Sequence, residues 1–416
     1  MSVQTEGSPA RGRVSRWFVG DRWWAGLTLA YLLTRVTAVV AFLVAARDPL
    51  SRPRSWRGDE PVDAWRLMHQ AWDANWYTII VEDGYPETLP RGEDGRVWQN
   101  PYAFYPLYPM TVRLLSALGH VSTGAAAIAL NTVLGLVAVL LMRRLLLAYA
   151  PQLASTRPWF LFTAPVAMAA FPAAGVFSAN YSEATAMVVL LATLLALQKQ
   201  RWGWLVVGIV ALGLVRPLAV PLGLVILVHF APKFLAHWRG DGADDPGRRI
   251  WTPDLARFVA LGMLSVASVL LWPVLVGLLS GEADGLFLTQ DAWKRPGGTE
   301  TTAPFAVLTA QAGSGWLAAL WVTGWIGLCL GGALLPANRA LGPQLHAWSL
   351  GYLVFILATV GVGGSGTRYT LFALTFHTSL AAPVRRGWQA ALVVAGLLWF
   401  QFDWISTRWS GEGHAP

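Results

Sequence analysis

Hydrophobic positions in this chain come in long unbroken runs, not in the alternation of half-buried strands or the single stripe of soluble helices. Runs long enough to cross an apolar layer of about 30 Å, which takes roughly 20 helical residues, extend from Trp24 to Ala46, Gly124 to Leu146, Trp159 to Phe177, Leu255 to Leu279, Trp316 to Leu335, Leu345 to Val362 and Trp388 to Ile405. Shorter runs lie between them. The pattern predicts an all-α, polytopic membrane protein with about eleven membrane segments. Gly203 to Phe230 is read as two short helices, up and back, because Arg216-Pro217 interrupts it and proline disfavours helix at and before its own position. Ala103 to Leu118 is apolar but carries Pro106, Pro109 and Arg113, which suits a helix lying near the interface in the first outer loop. The first run follows Arg11, Arg13, Arg16 and Arg22 and contains Arg35; it is too long for the apolar core of a signal peptide and is read as a retained helix.

Composition agrees. Of 416 residues, 55% are hydrophobic and only 13% charged, which excludes an ordinary soluble domain. The net charge of +8 comes with no basic stripe or nucleic-acid motif, so it is read as topological. Basic residues favour the cytoplasmic side in short connections. One threading, with the N-terminus inside, places Arg143, Arg144, Arg157, Lys199, Arg201, Lys233, Arg239, Arg248, Arg249, Arg339, Arg385 and Arg386 there together. The same threading sends the Arg47 to Pro101 loop, the Ser178 to Ser182 turn, the Ser280 to Ala303 loop and the Gly363 to Tyr369 loop to the extracytoplasmic face. The mixed-charge stretch Arg239 to Asp254 reads as a solvated connector. Cys329 has no partner cysteine in the chain, so neither a disulfide framework nor a cysteine metal site is expected. No internal repeat appears, and residues 1–416 are taken as one domain.

The candidate chemistry gathers in those outer segments. Asp73, set among Trp72, Trp76 and Tyr77 and followed by Gly84-Tyr85-Pro86, is a carboxylate in aromatic surroundings, as a general base acting on a hydroxyl requires; the alternative is that it caps a helix starting at Ala74 amid interfacial aromatics. Arg216 lies in the helix break, where an arginine is costly unless it binds an anion such as phosphate or pairs with an acid such as Glu183. Arg368-Tyr369 closes the glycine-rich turn Gly361 to Gly366 and is either a second anion clamp or an arginine snorkelling at a helix end. In Tyr181-Ser182-Glu183, Ser182 suits a helix cap and Glu183 the positive helix end, while both Tyr181 and Glu183 also suit sugar hydroxyls. Arg35 is expected in a structural ion pair, and Lys294-Arg295 as solvated loop charges. His69 and His120 are too isolated to form a metal site. No Walker loop, dinucleotide fingerprint or nucleophile elbow is present, so no cofactor is expected and the free energy of a reaction has to arrive with the substrate.

Together these segments resemble the PIG-V type of GPI mannosyltransferase, within the GT-C membrane glycosyltransferases that use polyprenyl-phosphate sugars. The resemblance is carried by Trp72, Asp73, Trp76, Tyr77, Gly84 and Tyr85, by the aromatic and proline run Ala103 to Pro109, by Phe171-Pro172 with Tyr181-Ser182-Glu183, and by Arg216 and Arg368-Tyr369. It implies an outward-facing catalytic loop with its acid at Asp73 and phosphate contacts at Arg216 or Arg368. With 28 Arg against 3 Lys, the composition suggests a GC-rich genome and hence a bacterial envelope member. The expected activity is inverting transfer of mannose from a polyprenyl-phosphate donor to a glycan or glycolipid acceptor, among membrane lipids and without nucleic acid. Two other readings stay open: a transporter or flippase for a lipid-linked or anionic substrate, and a non-catalytic scaffold, which the lack of any cavity behind Asp73 would favour.

Overall fold

The computed structural model describes residues 18–47, 62–239, 252–293, 334–359 and 366–410, with single positions between 316 and 332. Most of the Trp316 to Leu335 run, Cys329, the connector with Arg248 and Arg249, Lys294-Arg295 and the glycines at 361, 363 and 364 lie outside the described residues. The described chain is a bundle of helices, α1 (Trp23–Ala45), α2 (Ala64–Gln70), α3 (Asp73–Glu82), α4 (Leu107–Gly119), α5 (Thr123–Tyr149), α6 (Pro158–Ala170), α7 (Glu183–Gln198), α8 (Trp202–Val215), α9 (Ala219–Arg239), α10 (Pro253–Ser280), α11 (Gly285–Asp291), α12 (Pro343–Thr359), α13 (Leu374–Ala381) and α14 (Gly387–Arg408). Among the described residues the one β feature is the isolated Arg91 to Val97 bridge. Five helices (α1, α5, α9, α10 and α14) are long and apolar enough to cross a membrane, six when the bent pair at Pro158–Ala170 and Pro172–Ser178 is counted as one. The chain is a multi-pass membrane protein.

Contacts at the helix ends show how the chain zigzags. At one end Arg143, near the end of α5, sits 4.2 Å over the ring of Trp23, the start of α1; Gln198, the end of α7, bonds the Ala148 carbonyl; and Arg157 bonds the Ala382 carbonyl at 2.6 Å. Lys233 of α9 pairs with Asp254 at the start of α10, and Arg257 covers Trp202 at the start of α8. At the other end Trp409, just past α14, packs against Phe42 of α1 and Tyr181 just before α7. Helices α1, α5, α7, α8, α9, α10 and α14 therefore run between a basic end and an end that carries Asp73, Glu183 and Arg216. This is the alternation that the charge pattern of the sequence predicts.

Two expectations change. The arm after Arg216 is not a short half-helix: α9 continues to Arg239, and Ala219–Ala236 is by itself long and apolar enough to span. The Trp159 to Phe177 run is not one straight helix. It bends by 74° between Ala170 and Pro172, because Phe171 is extended (φ −54°, ψ 143°) and Pro172 has no N–H to continue the ladder. That bend explains Arg35, whose partners are not acidic. Its guanidinium donates to the Ala169 carbonyl (2.7 Å), the Ala174 carbonyl (2.8 Å) and Ser178 Oγ (3.2 Å), with Tyr31 and Phe177 rings alongside. The arginine supplies donors to carbonyls that the broken helix leaves without them.

α4 keeps Tyr108, Pro109 and Val112 buried while Leu114 and Leu118 face outward, the two-faced pattern of an interfacial helix. Elsewhere helices approach closely at small residues, as they do where no hydrophobic force drives helix association. A Cβ on Gly213 would stand 2.1 Å from the Ser268 carbonyl oxygen of α10. That contact fixes α8 three residues before Arg216. Gly213→Ala is expected to lose about 1–3 kcal/mol through overpacking, read as a lower unfolding temperature of the purified protein in detergent, with a neutral outcome expected for Gly203→Ala, whose Cβ position is open.

Candidate active site

α2 ends at Gln70 and α3 begins at Asp73, so the chain turns within two residues, and Trp72 takes φ 57°, ψ −125° to do it. A bulky side chain in that region is strained. The turn places Asp73 as the first residue of α3, with Trp72 and not Asp73 at the capping position; the carboxylate meets Arg368, Oδ2 to Nη1 at 2.6 Å. Arg368 Nε lies 3.2 Å from Glu183 Oε1, and the same oxygen accepts from Arg216 Nη1 at 2.5 Å. The result is a row of alternating charge, Asp73, Arg368, Glu183, Arg216, with formal charge zero. Its inner members are buried, Arg368 at 3% and Glu183 at 1% exposed, whereas Asp73 at 23% and Arg216 at 15% reach outward.

Local structure sets each position. Arg216 is extended (φ −167°, ψ 162°) between α8 and α9, Arg368 sits on the single turn Gly366–Tyr369, and Glu183 opens α7. Tyr369 lies between the guanidinium groups, 5.1 Å from that of Arg216 and 5.4 Å from that of Arg368. Tyr181 underlies Arg368 at 5.1 Å. Cation–π contacts of this kind are strongest where water is excluded.

Asp73, Arg216, Arg368 and Tyr369 border a cavity of about 540 Å³. Asp73, Tyr77, Tyr105, Arg216, Arg368 and Tyr369 give it a polar side, and Leu218, Phe287, Phe355 and Ile356 an apolar one. Burial pushes the Tyr77 hydroxyl well above its usual range and that of Tyr105 up to about 12, although the Arg216 guanidinium draws both down. Both phenols keep their protons at neutral pH, and that of Tyr77 donates to Ser182 Oγ at 2.9 Å.

Of the residues singled out in the sequence, Asp73, Arg216, Arg368, Tyr77 and Tyr369 border the cavity; Trp72, Trp76, Tyr181 and Glu183 do not. Trp76 stands behind the wall, stacked on Phe104 and edge-on to Trp293. Ser182 leaves α7 without a side-chain cap and accepts the Tyr77 hydroxyl instead, at 2.9 Å. Arg216 pairs with Glu183, as the structural reading of that residue expects, and also borders the cavity. His69 is tied to the Trp65 carbonyl at 2.6 Å, and among the described residues no group of three or more His, Cys, Asp or Glu side chains converges.

The sequence did not single out the residues that hold the acid in place. Asn180, fully buried, donates to the Ala74 carbonyl and to Thr78 Oγ1, both at 3.1 Å, and accepts from the Tyr108 hydroxyl at 2.8 Å. Asn131, also fully buried, donates to Tyr108 Oη (2.9 Å), the Ala179 carbonyl (2.5 Å) and the Tyr181 carbonyl (2.8 Å). The two amides register the first turn of α3 against the segment that delivers Glu183. The available signal was Asn131 itself, an amide in the middle of an apolar run, which a membrane segment keeps only for a purpose.

No protein-family model and no curated protein matches the chain. Among solved structures it is similar to ArnT from Cupriavidus metallidurans bound to undecaprenyl phosphate, at 16% identity and a TM-score of 0.47, over 88% of this chain and 62% of that one. It is also similar to the oligosaccharyltransferase AglB from Archaeoglobus fulgidus in complex with an inhibitory peptide and a dolichol-phosphate, at 13% identity and a TM-score of 0.45, over 96% of this chain and 57% of that one. The chain spans less than two thirds of the length of either. At these values the likeness carries no inference about activity.

Proposed function

We propose that the chain is an inverting membrane glycosyltransferase that moves a sugar from a polyprenyl-phosphate donor to a hydroxyl of a glycan or glycolipid at the extracytoplasmic face; mannose is the sugar that the motif resemblance favours. The observation that carries the proposal is the placement of one accessible carboxylate and two arginines on the wall of a single cavity, at the end of the bundle opposite its basic connections. Positive connections favour the cytoplasm, so this end is assigned outward.

In the proposed reaction one oxygen of Asp73 stays with Arg368 while the other takes the proton of the acceptor hydroxyl. The acceptor oxygen forms its bond to the anomeric carbon from the side opposite the phosphate, the carbon to phosphate-oxygen bond breaks, and its electron pair stays on the phosphate. Oxocarbenium character develops on the sugar between the two events. The charge row suits this sequence. Protonation of Asp73 releases part of the hold on Arg368 as the leaving phosphate gains a second negative charge, so a zero-charge row becomes cationic when an anion forms beside it. Such pre-placed charge costs no reorganisation at the moment of reaction. Arg216, the more exposed arginine, is assigned to the phosphate; Arg368, ion-paired with both acids, is assigned to orienting the base and balancing its charge.

The transporter or flippase reading draws on the same helix break at Arg216, since unwound segments near helix ends bind anions in transporters. It expects a site near the middle of the bundle, whereas the charge row lies at one end. The scaffold reading loses ground because a cavity does lie behind Asp73.

Asp73→Asn should lower transfer by about a hundred- to ten-thousandfold while the protein still inserts, folds and binds the lipid phosphate, with a lower melting temperature because the buried Arg368 loses one of its two acids; the assay is labelled polyprenyl-phosphate mannose with a membrane lipid extract, and wild-type turnover by this variant would remove Asp73 from the role. Movement of labelled lipid across vesicles without glycosylated product would favour the flippase instead. Arg216→Gln should raise the donor concentration for half-maximal rate by about ten- to a hundredfold, the worth of one hydrogen bond to a charged group; an unchanged donor dependence would sink the phosphate assignment.

A further inference from the structure

At the basic end of the bundle, far from the charge row, a furrow of about 360 Å³ runs between α5, α7 and α8. It follows α7 from Val188 to Lys199 and α8 from Arg201 to Ala211, three turns of each helix or about 16 Å. The two helices can lie this close because Gly208 faces Thr193: a Cβ there would stand 2.2 Å from Thr193 Oγ1. That hydroxyl donates to the Val189 carbonyl at 2.6 Å, so the one polar side chain in the body of the furrow is satisfied. The rest of the body is hydrocarbon, and at its end stand Lys199 and Arg201.

A second, more open hollow of about 560 Å³ is bounded by Gln200, Arg201, Trp202, Gly203, Trp204 and Val207. The two share Arg201, Trp204 and Val207. Trp204, 71% exposed, is therefore the ridge between them, and Arg201 stands at the head of both. Gln200 takes φ 52°, which closes the α7 to α8 turn within three residues and keeps both cations on the furrow. Lys199 and Arg201 are exposed and their side chains make no ion pair among the described residues, whereas at the same end Lys233 and Arg257 share Asp254.

Basic residues at this end are expected of any membrane protein, and an apolar furrow alone suits any lipid tail. Here the two coincide: a pair of apolar hollows meets at a pair of unanswered cations, beside an aromatic ring of the kind that sits at headgroup level. That is the complement of one molecule with two hydrocarbon chains and a negative head. We propose that the α7 to α8 turn is a binding site for a diacyl phospholipid with an anionic headgroup, its phosphate held by Lys199 and Arg201 and its chains lying on either side of Trp204. The site is distinct from the cavity of the proposed reaction and needs only that the chain sits in a membrane. It has a mechanical reach, because the hairpin gripped at its closed end carries Glu183 and Arg216 at its open end, where the two are ion-paired.

The test is lipid binding to the full-length protein in detergent, titrated by native mass spectrometry with phosphatidylglycerol, phosphatidylcholine and the single-chain lysophosphatidylglycerol. The wild type should bind phosphatidylglycerol about tenfold or more tightly than either of the others. Lys199→Gln combined with Arg201→Gln should remove that preference, a loss of about tenfold or more for two cations, while Arg339→Gln combined with Arg385→Gln, which takes the same charge from exposed positions off the furrow, should keep it. Ala192→Phe, which fills the furrow and leaves both cations in place, should also weaken phosphatidylglycerol. Lipid-free melting temperatures identify any variant that fails to fold, and the other variant then carries the test. Equal binding of phosphatidylglycerol and phosphatidylcholine by the wild type, or equal losses in the two arginine-containing double variants, would reduce the turn to ordinary lipid contact and overturn the proposal. Full phosphatidylglycerol binding by Ala192→Phe, or equal binding of the single-chain lipid, would overturn the assignment of the chains to the two hollows.

Discussion

One carboxylate holds this end of the molecule together. Glu183 Oε1 is shared by Arg216 and Arg368, and through them the break between α8 and α9, the Gly366–Tyr369 turn and the start of α7 meet at one atom. Two arginines and a second acid buried in a largely apolar bundle are tolerable only as a compensated set: removing one partner of such a set strands the others, and the cost of an uncompensated buried charge is several kcal/mol. The arrangement is thus as much a constraint on assembly as on chemistry. Each segment has to arrive with its charge for any of the others to stay.

The geometry of the row separates the duties of its members. Asp73 and Arg216 stand at its ends and reach the cavity; Arg368 and Glu183 fill its buried middle, Arg368 touching the cavity wall and Glu183 behind it. An enzyme that must both remove a proton and receive an anion gains from linking the two places electrically without letting water between them. The amide and phenol network of Asn180, Asn131 and Tyr108 does the mechanical part, holding the first turn of α3 to the segment before Glu183. None of these three groups is charged, so they set position without altering the balance.

Much of this could be read from the amino acids. The runs of apolar residues located the spans at α1, α5, α10 and α14, though not α9, the asymmetry of basic residues gave the alternation of the helices, and Arg216-Pro217 marked a real interruption, because each of these signals is local in the chain. What escaped was what depends on packing between distant segments. Arg35 looked like half of an ion pair because an arginine in an apolar run usually wants an acid, yet its partners are carbonyls exposed by a bend about 140 residues away in sequence. Trp76 and Tyr181 looked like contact surface since aromatics near an acid often are, yet they lie behind the lining.

The short length of α7 and α8 has a consequence for how a greasy substrate meets the protein. A helix of 14 residues rises about 21 Å, well short of the roughly 30 Å of hydrocarbon in a typical bilayer, so α8 does not cross that depth by itself. A bilayer accommodates so short a helix by local thinning or by leaving one end below the headgroup level. Under the proposed function, a long-chain donor would enter sideways from the leaflet, its chain still in hydrocarbon as its headgroup linkage meets Arg216.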